Sequence, residues 1–121
     1  MLPYKRSKRV ADLLREELAD IIMRRVKDPR LGEKFVTVVD VSVTDDLKLA
    51  RVYVSTLKKE DREDIVDILK SARAFMRSEL AKRLRMKSIP DLEFFIDTSI
   101  EYGSRIEKLL KEIKATEKAG D

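Results

Sequence analysis

The chain contains no cysteine, histidine, asparagine, glutamine or tryptophan among its 121 residues. Without cysteine there can be no disulfide, no thiolate metal site and no thiol nucleophile. Without histidine the commonest general base and the commonest metal ligand are both missing. Abundant charge together with the absence of the thermolabile amides is typical of proteins from thermophiles.

Long apolar runs are also missing. No uncharged stretch is long enough to cross a bilayer, and no N-terminal apolar stretch resembles a signal peptide. We therefore expect a cytoplasmic protein that makes no membrane contact. Charged residues make up 41% of the chain and apolar residues 43%, a balance typical of one folded domain with a heavily charged surface.

Positive charge is concentrated in residues 70–87, which we call the basic segment. It holds seven basic residues and one acidic residue, a net charge of +6 against +4 for the whole chain. Nucleic acid is the commonest polyanion in a cell, so these cations are candidates for contact with RNA phosphates. The seven are Lys70, Arg73, Arg77, Lys82, Arg83, Arg85 and Lys87. The alternative is a solvated helix face.

A smaller set of cations, the N-terminal basic group, is formed by Lys5, Arg6, Lys8 and Arg9. It is either a second RNA contact or the frayed start of a helix. Arg24, Arg25, Lys27 and Arg30 lie near the predicted C-terminal end of that helix. Cations are favoured at this position by the helix dipole, so we assign them a structural role.

The periodicity of apolar residues predicts the order α-β-β-α-β-α. The first helix is capped by Ser7, and its apolar positions are Val10, Leu13, Leu14, Leu18, Ile21, Ile22 and Val26. Strands are predicted at 35–43 and 47–56, joined by a turn at 44–46, and a third at 92–96. The last helix carries Ile106, Leu109, Leu110 and Ile113. We expect an α+β domain, a three-stranded sheet with helices on one face.

The helical stretch that begins at Glu60-Asp61 and ends before Pro90 contains a break in phase. Its apolar ridge advances by about 40° at each step of four residues, so it rotates by roughly 120° between Ala72 and Leu84. One straight helix cannot keep that ridge on one sheet. The period therefore favours two helices that meet at a bend near residues 72–75.

Five short motifs, in order and at matching spacing, resemble the ribosome-binding factor A family. They are Arg6-x-x-Arg9-Val10, Asp28-Pro29-Arg30, Asp46-Leu47-x-x-Ala50-x-Val52-Tyr53-Val54-Ser55, Pro90-x-Leu92-x-Phe94-x-x-Asp97-x-Ser99 and Gly103-x-x-Ile106-x-x-Leu109-Leu110. The resemblance covers residues 4–113. It implies a type II KH-like domain of order α-β-β-α(kink)α-β-α over residues 1–115, followed by a short polar tail at 116–121.

The resemblance also implies a function. Members of this family bind the free small (30S) ribosomal subunit, not assembled ribosomes, and assist late maturation of its rRNA, particularly in the cold. We accordingly expect a monomeric, non-catalytic factor that contacts small-subunit rRNA and uses no cofactor. The family replaces the GxxG loop of other KH domains with an Ala-x-Gly kink. The aligned residues here are Ala72, Arg73 and Ala74, so the chain departs from the pattern at the third position.

Two rival functions remain open. A protein–protein adaptor could use the basic segment to dock an acidic partner. A metal-dependent RNA-processing enzyme would need carboxylates, and five of them occur at Glu60, Asp61, Glu63, Asp64 and Asp67. These carboxylates are better explained by the preference for negative charge in the first turns of a helix, and we predict no metal site.

Three aromatic side chains, Phe75, Phe94 and Phe95, could stack on bases. Phe94 is predicted to be core, because it shares a face with Leu92 and Ile96. Phe95 and Tyr53 are therefore the more open candidates.

Overall fold

The computed structural model describes residues 5–26, 28–32 and 34–99. Helix α1 (Arg6–Arg24) is followed by strands β1 (Val36–Val43) and β2 (Leu49–Thr56). One 3₁₀ turn at Lys59–Asp61 precedes α2 (Arg62–Ser71), α3 (Arg73–Arg83) and β3 (Asp91–Ile96). The predicted last helix, with Ile106, Leu109, Leu110 and Ile113, lies outside the described residues. No helix in the described part of the chain is long and apolar enough to span a membrane.

The sheet has the order β1-β2-β3, with β2 in the centre. Strand β2 pairs antiparallel with β1 and parallel with β3, so the sheet is mixed. The register of the β1–β2 ladder shifts between Val38 and Asp40, which leaves Val39 as an extra residue. Such a bulge increases the local twist of a strand pair.

The hairpin turn follows β1 at Thr44, as predicted, but β2 begins at Leu49, so Leu47 and Lys48 belong to the turn and not to the predicted strand. The Asp46 carboxylate accepts hydrogen bonds from the Thr44 hydroxyl (2.7 Å) and the Lys48 backbone N–H (3.0 Å). These two bonds hold the pKa of Asp46 below its ordinary value. Leu47 takes the left-handed conformation, with φ of 62°, which lets the chain reverse direction within this turn.

The helices cover one face of the sheet, as predicted. On β2 the side chains of Ala50, Val52 and Val54 are fully buried, and their neighbours on β3 are Leu92 and Phe94, also buried. Alternate residues point to the other face, where the rings of Tyr53 and Phe95 stack with centroids 5.6 Å apart. This arrangement is that of the predicted type II KH-like domain.

Two predictions about α1 are wrong. Ser7 does not cap the helix: the cap position is Lys5, without a side-chain cap, and the Ser7 hydroxyl instead donates to Asp45 at 3.4 Å. Leu13 is not core, since 47% of it is exposed, whereas Leu14 and Leu18 are fully buried. The buried stripe is therefore narrower than the apolar pattern indicated.

The helix of the basic segment is also shorter than predicted. It ends at Arg83, and Leu84 is already extended, with φ of −110° and ψ of 137°. From here Leu84, Met86 and Ile89 pack against the core. These three apolar side chains thus remain packed on the core although the helix has ended.

Candidate nucleic-acid interface

The bend predicted from the phase of the apolar ridge is present at Ala72. This residue has φ of −88° and ψ of 3°, between the end of α2 and the start of α3. Ile68 and Leu69 before the bend and Met76 and Leu80 after it are all fully buried. The bend therefore resets the helical phase and keeps both apolar faces in one core.

The bend does not need a glycine. Its backbone φ is negative, a conformation that any L-residue adopts. The Ala72 N–H still donates to the Ile68 carbonyl at 3.0 Å, and the Ala72 carbonyl accepts from the Met76 N–H at 2.9 Å. The departure from the Ala-x-Gly pattern at Ala74 is thus compatible with a bend, because the break falls two residues earlier.

Lys70 and Arg73 flank the bend and remain available for a ligand. Lys70 is exposed on the last turn of α2. Arg73 is partly buried, and its Nε has no hydrogen-bond partner among the described residues. Burying this donor without a partner is unfavourable, and because the Nε is buried, an acceptor reaches it only after the side chain moves.

Arg77 holds the chain that follows α3. Its guanidinium donates to the carbonyls of Ile89 (2.8 Å) and Pro90 (3.2 Å) and lies 3.4 Å from a carboxylate oxygen of Asp91. Although 40% of the Arg77 side chain is exposed, its guanidinium is therefore held by partners within the described chain. Arg77 thus joins α3 to the residues at the start of β3.

Arg83 joins α3 to α1. Its Nη1 lies 2.7 Å from Asp20 and 3.0 Å from Glu17. The hydrogen bond from Arg83 lowers the pKa of Asp20, and the two carboxylates raise the pKa of Arg83. Arg83 is therefore mostly covered, with 23% of its side chain exposed, and it is held by two carboxylates of α1.

The remaining cations of the basic segment are open to solvent. Lys82 is exposed and lies 3.4 Å from Glu79. Arg85 and Lys87 are exposed on the extended segment after α3, and no ion pair joins either to another described residue. Of the seven predicted phosphate contacts, the structure keeps Lys70, Arg73, Arg85 and Lys87 free of ion pairs within the described chain.

The N-terminal basic group lies far from the bend. All four of its residues are exposed on or just before the first turn of α1, and Lys8 lies 3.5 Å from Asp12. Ser7 in the same turn contacts the hairpin at Asp45, whereas Val26 beyond the other end of α1 faces the bend. Along the helix axis the two regions are roughly 25 Å apart.

Sequence reasoning missed a cleft between the end of α1 and the bend. Its volume is about 490 Å³, and its described lining residues are Arg25, Val26, Asp28, Pro29, Ser71, Ala72 and Phe75. Residues from two chain regions more than forty positions apart form it, so no local pattern indicates it. Arg25, which was assigned to the helix dipole, lines this cleft.

Two other cations near the end of α1 form local ion pairs. Arg24 pairs with Asp20 at 2.9 Å. Arg30 forms a bidentate pair with Asp28 and lowers the pKa of that carboxyl. Lys27 is outside the described residues.

The acidic start of α2 does not assemble a metal site. Within residues 5–26, 28–32 and 34–99, no group of three or more carboxylates is placed so that it could hold a metal ion. Glu63 and Asp64 lie in the first turn of α2, where the helix dipole favours negative charge.

Comparison with known proteins gives the same family as the five sequence motifs. A family model described as ribosome-binding factor A matches residues 6–110. A protein of that name from Thermodesulfovibrio yellowstonii is 56% identical over 116 residues, which cover 96% of this chain and 97% of the relative.

Two structures of the Thermus thermophilus ribosome-binding factor A are similar to this one. The crystal structure of that factor has a TM-score of 0.65 at 31% identity and covers 74% of this chain and 93% of its own. A homology model of the Thermus factor, fitted into a cryo-EM map of its complex with the 30S subunit, has a TM-score of 0.59 at 30% identity. It covers 73% of this chain and 91% of its own.

Proposed function

Because this chain belongs to the ribosome-binding factor A family, as its motifs predicted, we propose that it binds the free 30S subunit and assists late maturation of 16S rRNA. It acts in the cytoplasm as a monomer, by occupying rRNA until maturation is complete and then dissociating. The observation that carries this proposal is the surface around the bend, where Lys70 and Arg73 have no acidic partner among the described residues. The Thermus relative fitted into a 30S complex supports the choice of subunit.

The binding mode is contact with the phosphate backbone. Free Lys and Arg side chains release counterions from RNA, which supplies affinity without selecting a sequence. Arg85 and Lys87 extend the surface beyond α3, and Arg77 joins α3 to the residues that follow them through the Ile89 and Pro90 carbonyls. Selection of the site on the subunit then comes from shape and from the path of the backbone.

Catalysis is not part of the proposed function. Histidine and cysteine are absent from the chain, so cleavage of RNA would depend on carboxylates with a metal. Purified protein incubated with precursor rRNA and Mg²⁺ is expected to leave the RNA intact. Cleavage that disappears on Asp61→Asn or Asp64→Asn would contradict this and would support the rival enzyme.

The proposed function is tested by sedimentation of the protein with free 30S subunits and with assembled ribosomes over a series of salt concentrations. We expect binding to free subunits that weakens steeply with salt. The double variant Lys70→Gln with Arg73→Gln should reduce the slope of log affinity against log salt by about 1.4 to 1.8, the loss of two phosphate contacts.

The matched control is Lys5→Gln with Lys8→Gln, which removes the same charge from the N-terminal basic group. Circular dichroism establishes that both double variants are folded. A larger loss of affinity in the N-terminal pair would place the binding surface on α1 instead. Binding to the 30S subunit without any salt-dependent binding to bare 16S rRNA would favour the adaptor function, because an adaptor docks on a ribosomal protein.

A further inference from the structure

The cleft beside the bend combines an open mouth with a mostly apolar lining. Val26 and Pro29 form one side, and Ala72 and the ring of Phe75 form the other. Phe75 is 42% exposed, although it neighbours the fully buried Met76 on α3. An aromatic ring left this accessible beside a cavity of about 490 Å³ has room for a flat ligand group against it.

The lining disfavours a phosphate inside the cleft, because Asp28 places a carboxylate there and Arg25 is the one cation among the described lining residues. The only carboxylate among the described lining residues, Asp28, has its oxygens occupied by the backbone N–H of Arg30 (2.9 Å) and by its guanidinium (2.8 and 3.2 Å). The Ser71 hydroxyl is likewise committed, since it donates to the Asp67 carbonyl at 2.9 Å. What remains inside is hydrophobic and favours an apolar, planar face.

The charge around the mouth indicates what that planar group is attached to. Arg25 lies at the rim and is exposed, and Lys70 and Arg73 lie on the neighbouring turns of α2 and α3. The nearby acids, Asp64 and Asp67, act on Arg30, whose pKa they raise together with Asp28. An apolar slot bordered by unpaired cations matches an aromatic ring on a polyanionic chain, the chemistry of single-stranded RNA.

We propose that this cleft receives one unpaired nucleobase of the small-subunit rRNA, stacked on Phe75, while Arg25, Lys70 and Arg73 contact the flanking phosphates. This inference rests on the proposed function and adds a specific subsite to it. Stacking is tolerant of base identity, because every base has a π-face. Because the face of a paired base is covered by its neighbours in the duplex, the subsite selects an unpaired nucleotide over a paired one.

The other exposed aromatic surface is less suited to this role. Tyr53 and Phe95 on the open face of the sheet already stack on each other at 5.6 Å. Asp40 is the cross-strand neighbour of Tyr53, and Glu93 that of Arg51. The two carboxylates outweigh the charge of Arg51, so these groups together repel a polyanion. Phe95, which is 40% exposed, therefore serves as the matched control for Phe75.

The experiment uses the absence of tryptophan from the chain. Phe75→Trp and Phe95→Trp each place a single indole in the protein, whose fluorescence is recorded as free 30S subunits are added. A base stacked on the indole quenches it and shields it from a soluble quencher. We expect both effects for Phe75→Trp and neither for Phe95→Trp.

Affinity for free 30S subunits is measured in parallel for Phe75→Leu, Phe75→Tyr and Phe95→Leu. Loss of stacking in Phe75→Leu should weaken binding roughly 5- to 150-fold. Phe75→Tyr keeps the ring and should bind like the wild type, as should Phe95→Leu. Thermal unfolding shows whether each variant is folded, and the Tyr and Trp variants keep the test valid if Phe75→Leu is unstable.

Wild-type affinity in Phe75→Leu would overturn the base site, because an apolar side chain of a ribosomal protein would be bound equally well by leucine. Equal quenching of the two introduced indoles would overturn it too. Neither result would affect the proposed function. Failure of the wild-type protein to bind free subunits would instead contradict the proposed function itself.

Discussion

At the start of α3 the Nε of Arg73 is buried without a partner in the described chain, whereas at its end Arg83 lies 2.7 Å from Asp20 and 3.0 Å from Glu17. Both arginines belong to one run of positive charge, yet only Arg83 forms ion pairs within the described residues. The difference lies in what the neighbouring helix presents to each. Near the bend α1 contributes Arg25 to the cleft, whereas at the end of α3 it presents the carboxylates of Glu17 and Asp20.

Charge density in a sequence is therefore not the same as charge available to a ligand. An arginine paired with two carboxylates contributes little to a long-range field, and binding RNA through it would require that pairing to be given up. We call the region of Lys70, Ala72 and Arg73 the bend end and the region of Arg83 the far end. The following experiments separate the two.

The largest effect is expected from Ala72→Pro, which breaks the bend end. Proline removes the N–H that donates to Ile68 and its ring clashes with that carbonyl, at a cost of about 3 kcal/mol or more. The unfolding free energy, measured in urea, should fall by that amount. Ala72→Gly is the control, since it keeps the N–H and should cost no more than about 1 kcal/mol. Equal losses in the two variants would contradict the role of this hydrogen bond.

The bend itself was predictable because its signal is local. The apolar ridge over residues 65–84 drifts out of phase at a rate given by the helical repeat alone, and the structure breaks the helix where that drift becomes too large. The hairpin turn and the alternation of β2 and β3 were predictable for the same reason. In each case neighbouring residues carry the whole signal.

The state of each cation was not predictable, because it depends on contacts between distant residues. Arg83 and Glu17 are 66 positions apart, and Arg77 binds carbonyls 12 and 13 positions away. The end of α3 at Arg83 was missed because leucine and methionine on the next residues suit an extended segment as well as a helix. The cleft was missed because its two sides come from different parts of the chain.

One substitution at each end, Arg83→Met and Lys70→Met, distinguishes a cation that stabilises the fold from one that binds RNA. Arg83→Met should lower the melting temperature, because Glu17 and Asp20 lose the cation that lies between them, and should change the affinity for 30S subunits less than Lys70→Met. Lys70→Met should instead weaken binding to 30S subunits and leave the stability nearly unchanged. Its unfolding free energy should stay within about 0.5 kcal/mol of the wild type, while the salt slope falls by about 0.7 to 0.9. A greater loss of affinity in Arg83→Met would show that the far end also binds.

The ion pair at the far end also affects how the melting temperature changes at acidic pH. Arg83 holds the pKa of Asp20 below its ordinary value of 3.8, so the folded state binds this proton less readily than the unfolded state. The resulting stabilisation is fully present above pH 3.8 and is lost as the pH falls through the lower pKa of the folded state. Melting temperatures recorded downward from pH 5 should therefore fall less steeply for Arg83→Met than for the wild type. Parallel curves would show that this pair does not contribute.

The smallest effect is expected from Ala74→Gly, which restores the Ala-x-Gly pattern at the bend end. Ala74 is exposed in the first turn of α3, and glycine in a helix costs up to about 1 kcal/mol relative to alanine. Because the break lies at Ala72 with a negative φ of −88°, a glycine two residues later relieves no backbone strain. The variant should thus lose a little stability in urea and bind 30S subunits like the wild type. Ala81→Gly, also exposed in α3 but away from the bend, is the matched control. If Ala74→Gly instead gained affinity while Ala81→Gly did not, the bend in this chain would be held short of its binding geometry by the alanine.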